Sequence, residues 1–228
     1  MPHSQTQSTA RGTNTGKIFL DIDETLAFTV VHWIDHLRKA CSDPAPELTA
    51  LEIFQQFGLA QFVPAWRNNP KANEIMEALR NSPEAQLGIP VVPGAQEGVR
   101  HLQGITEIGG YITMRPEAVL SATQAWLTIN GFPNLPIITK PASVPSESAP
   151  TWKASVLTSE YPNIVGIVED RADVALALPP SYLGTVYLLG HNRSPRNDSV
   201  HIVPCANWDR VVEAARLIEP ARNIDIRP

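Results

Sequence analysis

The sequence predicts an α/β fold in which helices cover both faces of a parallel sheet and a helical cap is inserted after the first strand. From residue 91 onward, apolar runs typical of strands alternate with helical stretches, as in a series of β-α units. Residues 31–89 interrupt this alternation with short helical stretches separated by prolines. The interruption places the cap at 31–89 and the sheet core at 16–30 and 90–228.

The predicted strands are short apolar runs that end in polar or turn-forming residues. They are KIFLDI (17–22), GGYITM (109–114), PIIT (136–139), NIVGIVED (163–170) and TVYLLG (185–190). Because helical stretches separate all of them, we expect the strands to run parallel in one sheet.

The predicted helices are longer stretches in which apolar residues recur with helical spacing. After the first strand they are TLAFTVVHWIDHLRKA (25–40), ELTALEIFQQFG (47–58) and KANEIMEALRNS (71–82). In the core they are PGAQEGVRHLQ (93–103), PEAVLSATQAWLTING (116–131), TWKASVLTSEY (151–161) and ADVALAL (172–178). The last stretch, VHIVPCANWDRVVEAARLIE (200–219), is assigned a final helix.

The composition is that of a globular protein rather than a disordered or membrane protein. Apolar residues make up 43% of the chain and charged residues 18%, and no apolar stretch is long enough to cross a bilayer. A net charge of -5 argues against a broad nucleic-acid-binding face. We expect residues 1–15 to form a disordered tail without a secretion signal. The two cysteines form neither a disulfide framework nor a metal-ligand spacing, which is typical of a protein in the reducing cytoplasm.

Polar side chains that could bind a metal or take part in catalysis follow four of the predicted strands. In an open parallel sheet, ligands bind beyond the carboxyl ends of the strands. The side chains at these ends are Asp21, Asp23, Thr113, Arg115, Glu169, Asp170, Asp173, His191 and Asn192. Because several strand ends share one rim of the sheet, we expect a single site there.

The acids at two of these strand ends predict a magnesium site. Asp21 and Asp23 are two residues apart, so in an extended chain their side chains leave on the same face. With Asp170 arriving from another strand, the carboxylates repel and raise each other's pKa values. Mg²⁺ relieves this repulsion, since it prefers carboxylate and carbonyl oxygens together with water, and it leaves room for a substrate phosphate.

Four segments resemble, in order and context, the motifs of the haloacid dehalogenase-like (HAD) phosphohydrolases. DIDETL (21–26) is similar to their first motif, Asp-x-Asp-x-Thr after an apolar strand, and YITMRP (111–116) to the second, a strand that ends in Thr or Ser. WKASVL (152–157) resembles the third, a Lys at a helix start, and IVGIVEDRAD (164–173) the fourth, a strand that ends in acids. The resemblance spans residues 16–190 and implies a Rossmann-like core with an inserted cap.

The resemblance also implies a role for each of five residues. Asp21 attacks phosphorus and forms an aspartyl-phosphate, and Asp23 protonates the leaving oxygen and later activates water. Thr113 donates a hydrogen bond to a phosphoryl oxygen, and Lys153 offsets the negative charge of nucleophile and phosphoryl group. Mg²⁺ is held by Asp21, by the carbonyl of Asp23 and by Asp170.

Two of these assignments leave alternatives open. The lysine of the third motif is Lys153 or Lys140; we favour Lys153, which starts the helix before the strand NIVGIVED. The fourth motif departs from the commonest form, Gly-Asp followed by a second Asp. Glu169 is therefore an alternative metal ligand to Asp170, and Asp173 is interpreted as a supporting or helix-capping acid.

The candidate substrate-binding residues are Thr113, Arg115 and Trp33. Arg115 could bind phosphate through two hydrogen bonds, or it could form a structural salt bridge. Trp33 follows the first motif closely enough to line the pocket, although packing inside the cap is the simpler interpretation. His32 and His36 have the helical spacing of a metal-binding pair but lack a third ligand, so packing is favoured for them as well.

The second acid of the first motif favours phosphate chemistry over removal of halide, because dehalogenases of the HAD superfamily lack the residue that corresponds to Asp23. We therefore expect a Mg²⁺-dependent phosphatase, a phosphoric monoester hydrolase. Its partner is expected to be a small-molecule phosphate ester, with no nucleic acid and no membrane. A phosphomutase or nucleotidase of the same fold, or a non-catalytic HAD-fold binding protein, are the alternatives, and the oligomeric state is not predicted.

Overall fold

The structure, a computed structural model, describes residues 16–41, 43–195 and 199–225, with side chains described to residue 219. The predicted tail, residues 1–15, lies outside these ranges. The strands are β1 (Lys17–Leu20), β2 (Ile108–Pro116), β3 (Ile137–Lys140), β4 (Ile164–Glu169), β5 (Thr185–Leu189) and β6 (His201–Cys205). They form one parallel sheet in the order β3-β2-β1-β4-β5-β6, which confirms the predicted fold class.

The α-helices of the described ranges connect these strands or lie in the insertion after β1. They are α1 (Thr29–Ala40), α2 (Ala50–Phe57), α3 (Pro70–Asn81), α4 (Pro83–Leu87), α5 (Ala95–Gln103), α6 (Leu120–Ile129), α7 (Ala149–Ser159), α8 (Ala172–Ala177) and α9 (Trp208–Asp225). Within the described part of the chain, none of these helices combines the length and the apolar character that crossing a membrane requires.

The sheet is buried on both faces because alternate residues of the central strand β1 pack into two different apolar clusters. Ile18 and Leu20 belong to a cluster that includes residues of α5, α6 and α9. Phe19 packs against a second cluster, which includes residues of α7 and α8. Such two-sided burial is typical of parallel sheets and explains why the strands appear in the sequence as continuous apolar runs.

A third apolar cluster lies within the inserted helices. Its buried members fall within residues 30–76 and include Trp66, which is fully buried. The starts of α2, α3 and α4 are capped by the side chains of Thr49, Asn69 and Ser82. A separate core and capped helices are what the predicted cap requires, and its boundaries stay a prediction.

Residues 26–28, which precede the inserted helices, pair with residues 90–92, which follow them. The backbone N–H groups of Phe28 and Val92 donate hydrogen bonds across the pair at 2.7 and 2.8 Å. The pairing is antiparallel. As a consequence the first inserted helix begins at Thr29, later than the helical spacing alone predicts.

The sixth strand, β6, is absent from the sequence prediction, which assigned only a helix to residues 200–219. The residues HIVPC pair with β5 along the whole strand and form the edge of the sheet. Pro204 lacks an N–H group for the ladder, and an edge strand tolerates it because one side of the strand makes no ladder bonds. Pro204 therefore weakens the strand pattern in the sequence, although the edge position of β6 allows a proline.

Close contact between α5 and α9 depends on Gly98, and we expect Gly98→Ala to destabilise the protein. A Cβ atom at position 98 would lie 2.5 Å from Cε3 of Trp208. Trp208 is buried and donates its indole N–H to the carbonyl oxygen of Thr25 at 3.0 Å, so its ring is held in place. Overpacking of this kind costs about 1–3 kcal/mol, which outweighs the better helix propensity of alanine.

Urea unfolding of Gly98→Ala, measured beside Glu97→Ala in the same helix, tests this contact. Glu97 is exposed and pairs only with exposed partners, so its variant should unfold close to the wild type. A Gly98→Ala variant as stable as the wild type would contradict the prediction.

Candidate active site

The carboxyl ends of β1 and β4 bring three acidic side chains together. Asp21 directly follows β1, Glu169 ends β4 and Asp170 follows it, and the two strands are neighbours in the sheet. The backbone N–H of Asp21 donates to the carbonyl oxygen of Val168 at 2.9 Å, which carries the pairing one residue past β1. One carboxylate oxygen of each acid lies within 4.8 Å of the others.

Lys153 of α7 contacts two acids of this cluster and is fully buried. Its Nζ donates to Oδ1 of Asp21 at 2.6 Å and to Oε2 of Glu169 at 2.8 Å. Burial lowers the pKa of Lys153, but the charges of the two carboxylates outweigh that effect and raise it above its usual value. Lys153 is therefore held as a cation between the two strands.

One lysine does not neutralise three acids. Burial, together with the negative charge of Glu169, raises the pKa of Asp21 to about 7, although Lys153 acts in the opposite direction. Burial and the charges of Glu169 and Asp21 raise the pKa of Asp170 well above its usual value. Ionising all three acids would therefore leave an excess of negative charge, which a bound cation would relieve.

The acids fit a divalent metal ion. Oδ1 of Asp170 is buried and has no hydrogen-bond partner among the described residues, so it is free to ligate an ion. The donor set consists of carboxylate oxygens, which hard divalent cations prefer. Within the described ranges, Asp21, Glu169 and Asp170 are the only group of three potential ligands at metal-binding distances.

Asp23 lies outside this cluster and accepts hydrogen bonds from two residues of other segments. Its Oδ1 accepts hydrogen bonds from Nε and Nη2 of Arg115, at 2.9 and 2.8 Å, and from Oγ1 of Thr29 at 2.5 Å. Burial alone would raise the pKa of Asp23, but the charge and hydrogen bonds of Arg115 and the Thr29 hydroxyl hold it below its usual range. Of the two alternatives for Arg115, the structure shows the salt bridge.

Thr113 lies on β2, next to the loop that carries the two aspartates. It is two residues past Tyr111, which registers against Leu20 at the end of β1, and it is fully buried. Its Oγ1 accepts a hydrogen bond from the backbone N–H of Arg115 at 3.2 Å. The hydroxyl proton of Thr113 is thereby left to donate elsewhere.

Two predicted alternatives lie away from the cluster. Nζ of Lys140 donates to the carbonyl oxygens of Val144 and Pro141, at 2.5 and 3.3 Å, within its own loop. Asp173, on α8, accepts from Nε of Arg171 at 3.0 Å. Of the competing residues, the structure therefore brings Lys153, Glu169 and Asp170 to Asp21, and neither Lys140 nor Asp173.

The remaining candidates take up positions around the site or in the inserted helices. His191 contacts the backbone oxygen of Asp170 through Nε2 at 2.8 Å. Trp33, on α1, is partly buried and packs against the third cluster, with the guanidinium of Arg80 5.5 Å from its ring centroid. The rings of His32 and His36 lie against each other, 4.4 Å between centroids, which accords with packing rather than metal binding.

The sequence offered no role for Thr29, and Glu24, the third acid after the first strand, was open between a metal-binding cluster and a helix cap. Thr29 binds Asp23, as described above, and Glu24 accepts a hydrogen bond from the backbone N–H of Val30 at 2.6 Å, so that it caps α1. Glu24 has a left-handed φ of 55°, uncommon for a residue with a side chain. Burial and the charge of Asp23 raise the pKa of Glu24 to about 8. For Thr29, the one signal that the sequence offered was its hydroxyl group at the start of the helix that follows the first motif.

No family model matches the sequence, and no curated protein matches it. Among solved structures, a dehalogenase determined with an intermediate complex has a TM-score of 0.52 at 11% identity, covering 88% of this chain and 97% of that chain. Another dehalogenase structure has a TM-score of 0.50 at 11% identity, covering 88% and 96%.

A HAD family hydrolase from Deinococcus radiodurans R1, with bound phosphate and sodium, is also similar. Its TM-score is 0.48 at 17% identity, and the alignment covers 90% of this chain and 97% of that chain. At such identities the two dehalogenase structures establish the fold and nothing finer. The chain has the HAD-like fold that its four motif-like segments predict.

Proposed function

We propose that the protein is a Mg²⁺-dependent phosphohydrolase that acts on a small phosphate monoester through an aspartyl-phosphate intermediate. The observation that supports this most strongly is the setting of Asp21. Its carboxylate is buried, binds Lys153 at 2.6 Å, and lies beside the two acids of the neighbouring strand, with a second aspartate, Asp23, two residues further on. A nucleophile, a cation and an acid-base group thus share one rim of the sheet.

The metal would be held by the carboxylates of Asp21 and Asp170 and by the carbonyl of Asp23. Glu169 is the less suitable ligand, since Lys153 occupies its Oε2 and the backbone N–H of Arg171 binds its Oε1 at 3.0 Å. When bound, Mg²⁺ offsets the charge of the carboxylates and of the phosphoryl oxygens.

Asp21 and Asp23 divide the chemistry between them. In the first step a carboxylate oxygen of Asp21 forms a bond to phosphorus, the ester P–O bond breaks, and Asp23 donates a proton to the leaving oxygen. In the second, water attacks the phosphorus, Asp23 accepts its proton, and the bond to Asp21 breaks to release inorganic phosphate. The negative charge of an arriving phosphate raises the pKa of Asp23 and so favours its protonation for the first step.

Thr113 and Lys153 orient the reactants in this proposal. The free hydroxyl proton of Thr113 donates to a phosphoryl oxygen, while Lys153 holds Asp21 in place and supplies positive charge. The inserted helices then cover the site and exclude water. Trp33 of α1 would contribute to substrate binding in this proposal, because its buried Nε1 has no partner among the described residues and is free to donate a hydrogen bond.

Removal of halide is the second candidate, because the two structures with the highest similarity reported above are dehalogenases. A halide leaves without a proton, so that reaction needs no general acid and gives Asp23 no role in protonating a leaving group. The presence of Asp23 beside Asp21 favours the phosphatase. A phosphomutase would use the same side chains but would pass the phosphoryl group to a substrate hydroxyl instead of water. A nucleotidase would use them to hydrolyse a nucleotide.

A substrate panel measured with and without metal tests the proposal. We expect the purified protein to release phosphate from p-nitrophenyl phosphate and from small phosphate monoesters in the presence of Mg²⁺, and EDTA to stop the release. Phosphate formed in equal amount to p-nitrophenol argues against a mutase. Chloride release from 2-chloropropionate without phosphate release would support the dehalogenase, and no turnover of either class would support a binding protein.

A further inference from the structure

We propose that Arg115 is a positioning residue, which holds Oδ1 of Asp23 and leaves Oδ2 as the oxygen that exchanges protons with substrate and water. This inference rests on the proposed function. It also revises the sequence-based expectation that Arg115 binds substrate.

The hydrogen bonds described for Asp23 all end on one oxygen. Nε and Nη2 of Arg115 and Oγ1 of Thr29 supply three donors to Oδ1, at distances between 2.5 and 2.9 Å. Three donors leave Oδ1 little capacity for a further partner. The side chain of Asp23 is still 27% exposed, so the oxygen that remains open to the site is Oδ2.

Arg115 is itself held firmly. Its side chain is 5% exposed, its Nη1 lies 3.4 Å from Oγ1 of Thr123, and its guanidinium carbon is 5.9 Å from the ring centroid of Trp126. Trp126 is fixed in turn, because its indole N–H donates to the carbonyl oxygen of Ile89 at 2.7 Å. Because these contacts hold the planar guanidinium of Arg115 in place, its two hydrogen bonds fix the orientation of the Asp23 carboxylate.

These contacts also argue against a direct role of Arg115 in phosphate binding. Nε and Nη2 are taken by Asp23, Nη1 faces Thr123, and the whole side chain is buried. To reach a phosphate, the guanidinium would have to abandon an ion pair inside the protein, which is costly.

The same residue orients a second reacting group through its backbone. The N–H of Arg115 donates to Oγ1 of Thr113, so the threonine proton points away from that bond. A change of the Arg115 side chain keeps this backbone bond, and it therefore isolates the contribution made through Asp23.

Steady-state kinetics with p-nitrophenyl phosphate test the inference. In Arg115→Ala, Asp23 loses the two hydrogen bonds from the guanidinium group. We expect kcat to fall about 100-fold and KM to stay within about twofold of the wild-type value, because misplacing a reacting group slows the chemical step more than it weakens binding. Arg115→Lys, which keeps one hydrogen bond, should be intermediate. Guanidinium ion, at concentrations far below those that unfold the wild type, should restore part of the kcat of Arg115→Ala. Arg100→Ala, an exposed arginine of α5, is the matched control.

Several results would overturn the inference. A rise in KM at unchanged kcat in Arg115→Ala would assign Arg115 to substrate binding. A lower unfolding temperature without a guanidinium-dependent gain in kcat would make its role purely structural. If Arg115→Ala does not fold, Arg115→Lys is used in its place. A lower kcat at unchanged KM in that variant would support positioning, and a higher KM at unchanged kcat would assign Arg115 to substrate binding.

A structure of Arg115→Ala separates this inference from the proposed function. We expect the carboxylate of Asp23 to turn away from its present position in the variant, whatever the reaction is. An unmoved Asp23 would overturn the positioning role even in an active enzyme. A wild type that releases no phosphate would instead count against the proposed function, and the orientation of Asp23 in the variant would still decide the role of Arg115.

Discussion

Asp21→Asn is expected to abolish phosphate release while the protein stays folded. An amide cannot form the aspartyl-phosphate, so the loss in kcat should be on the order of 10⁴-fold or more. The fold should persist because the amide oxygen still accepts the hydrogen bond from Lys153. Removing one of three crowded carboxylates should also make the metal-free protein at least as stable as the wild type.

Two measurements check this expectation. Phosphate release is followed beside Asp35→Asn, an exposed acid of α1 whose replacement should leave activity unchanged. Thermal unfolding is followed with Mg²⁺ and with EDTA, and the stabilisation by Mg²⁺ should be smaller in Asp21→Asn than in the wild type. Phosphate release above background from Asp21→Asn would exclude Asp21 as the nucleophile.

Lys153→Met should cause the largest loss of stability among the changes considered, together with loss of activity. The substitution leaves the carboxylates of Asp21 and Glu169 buried without their cation. Breaking a buried ion pair in this way costs about 3–5 kcal/mol, because the two carboxylates stay buried without a counter-ion. Urea unfolding in EDTA measures the cost.

Two further variants identify the cause of that loss. Lys140→Met, which removes a lysine bound only to carbonyl oxygens of its own loop, should unfold close to the wild type. Adding Glu169→Gln to Lys153→Met removes one of the two unpaired charges and should recover part of the stability. An equal loss in both lysine variants, or no recovery in the double variant, would contradict the ion-pair explanation.

That these acids lie close together was predictable, because each comes at the end of an apolar run that is typical of a buried strand. Asp21 and Glu169 then come together because β1 and β4 are neighbours in the sheet. The choice of Lys153 over Lys140 follows from the same arrangement, since α7 precedes β4 whereas Lys140 ends β3. Topology, once inferred, thus selected the residues that meet.

What the sequence could not predict depends on side-chain orientation and local backbone conformation. Arg115 could have reached either a phosphate or an acid, and the choice of Asp23 depends on a contact between residues 92 positions apart. The capping of α1 by Glu24 depends on a left-handed residue, and glycine or asparagine, the usual signals, are not present there. Pro204 similarly suppressed the strand signal of β6.

The antiparallel pairing of residues 26–28 with 90–92 has a consequence for how such a protein can diversify. Because the two crossing points lie side by side, about 5 Å apart as paired strands do, the residues between them enter and leave the sheet at one place. A change of length within the insertion therefore need not lengthen or shorten the connection between β1 and β2 at the sheet itself. In the proposed phosphohydrolase, this arrangement would let the inserted residues change substrate preference while Asp21 and Asp170 keep their positions.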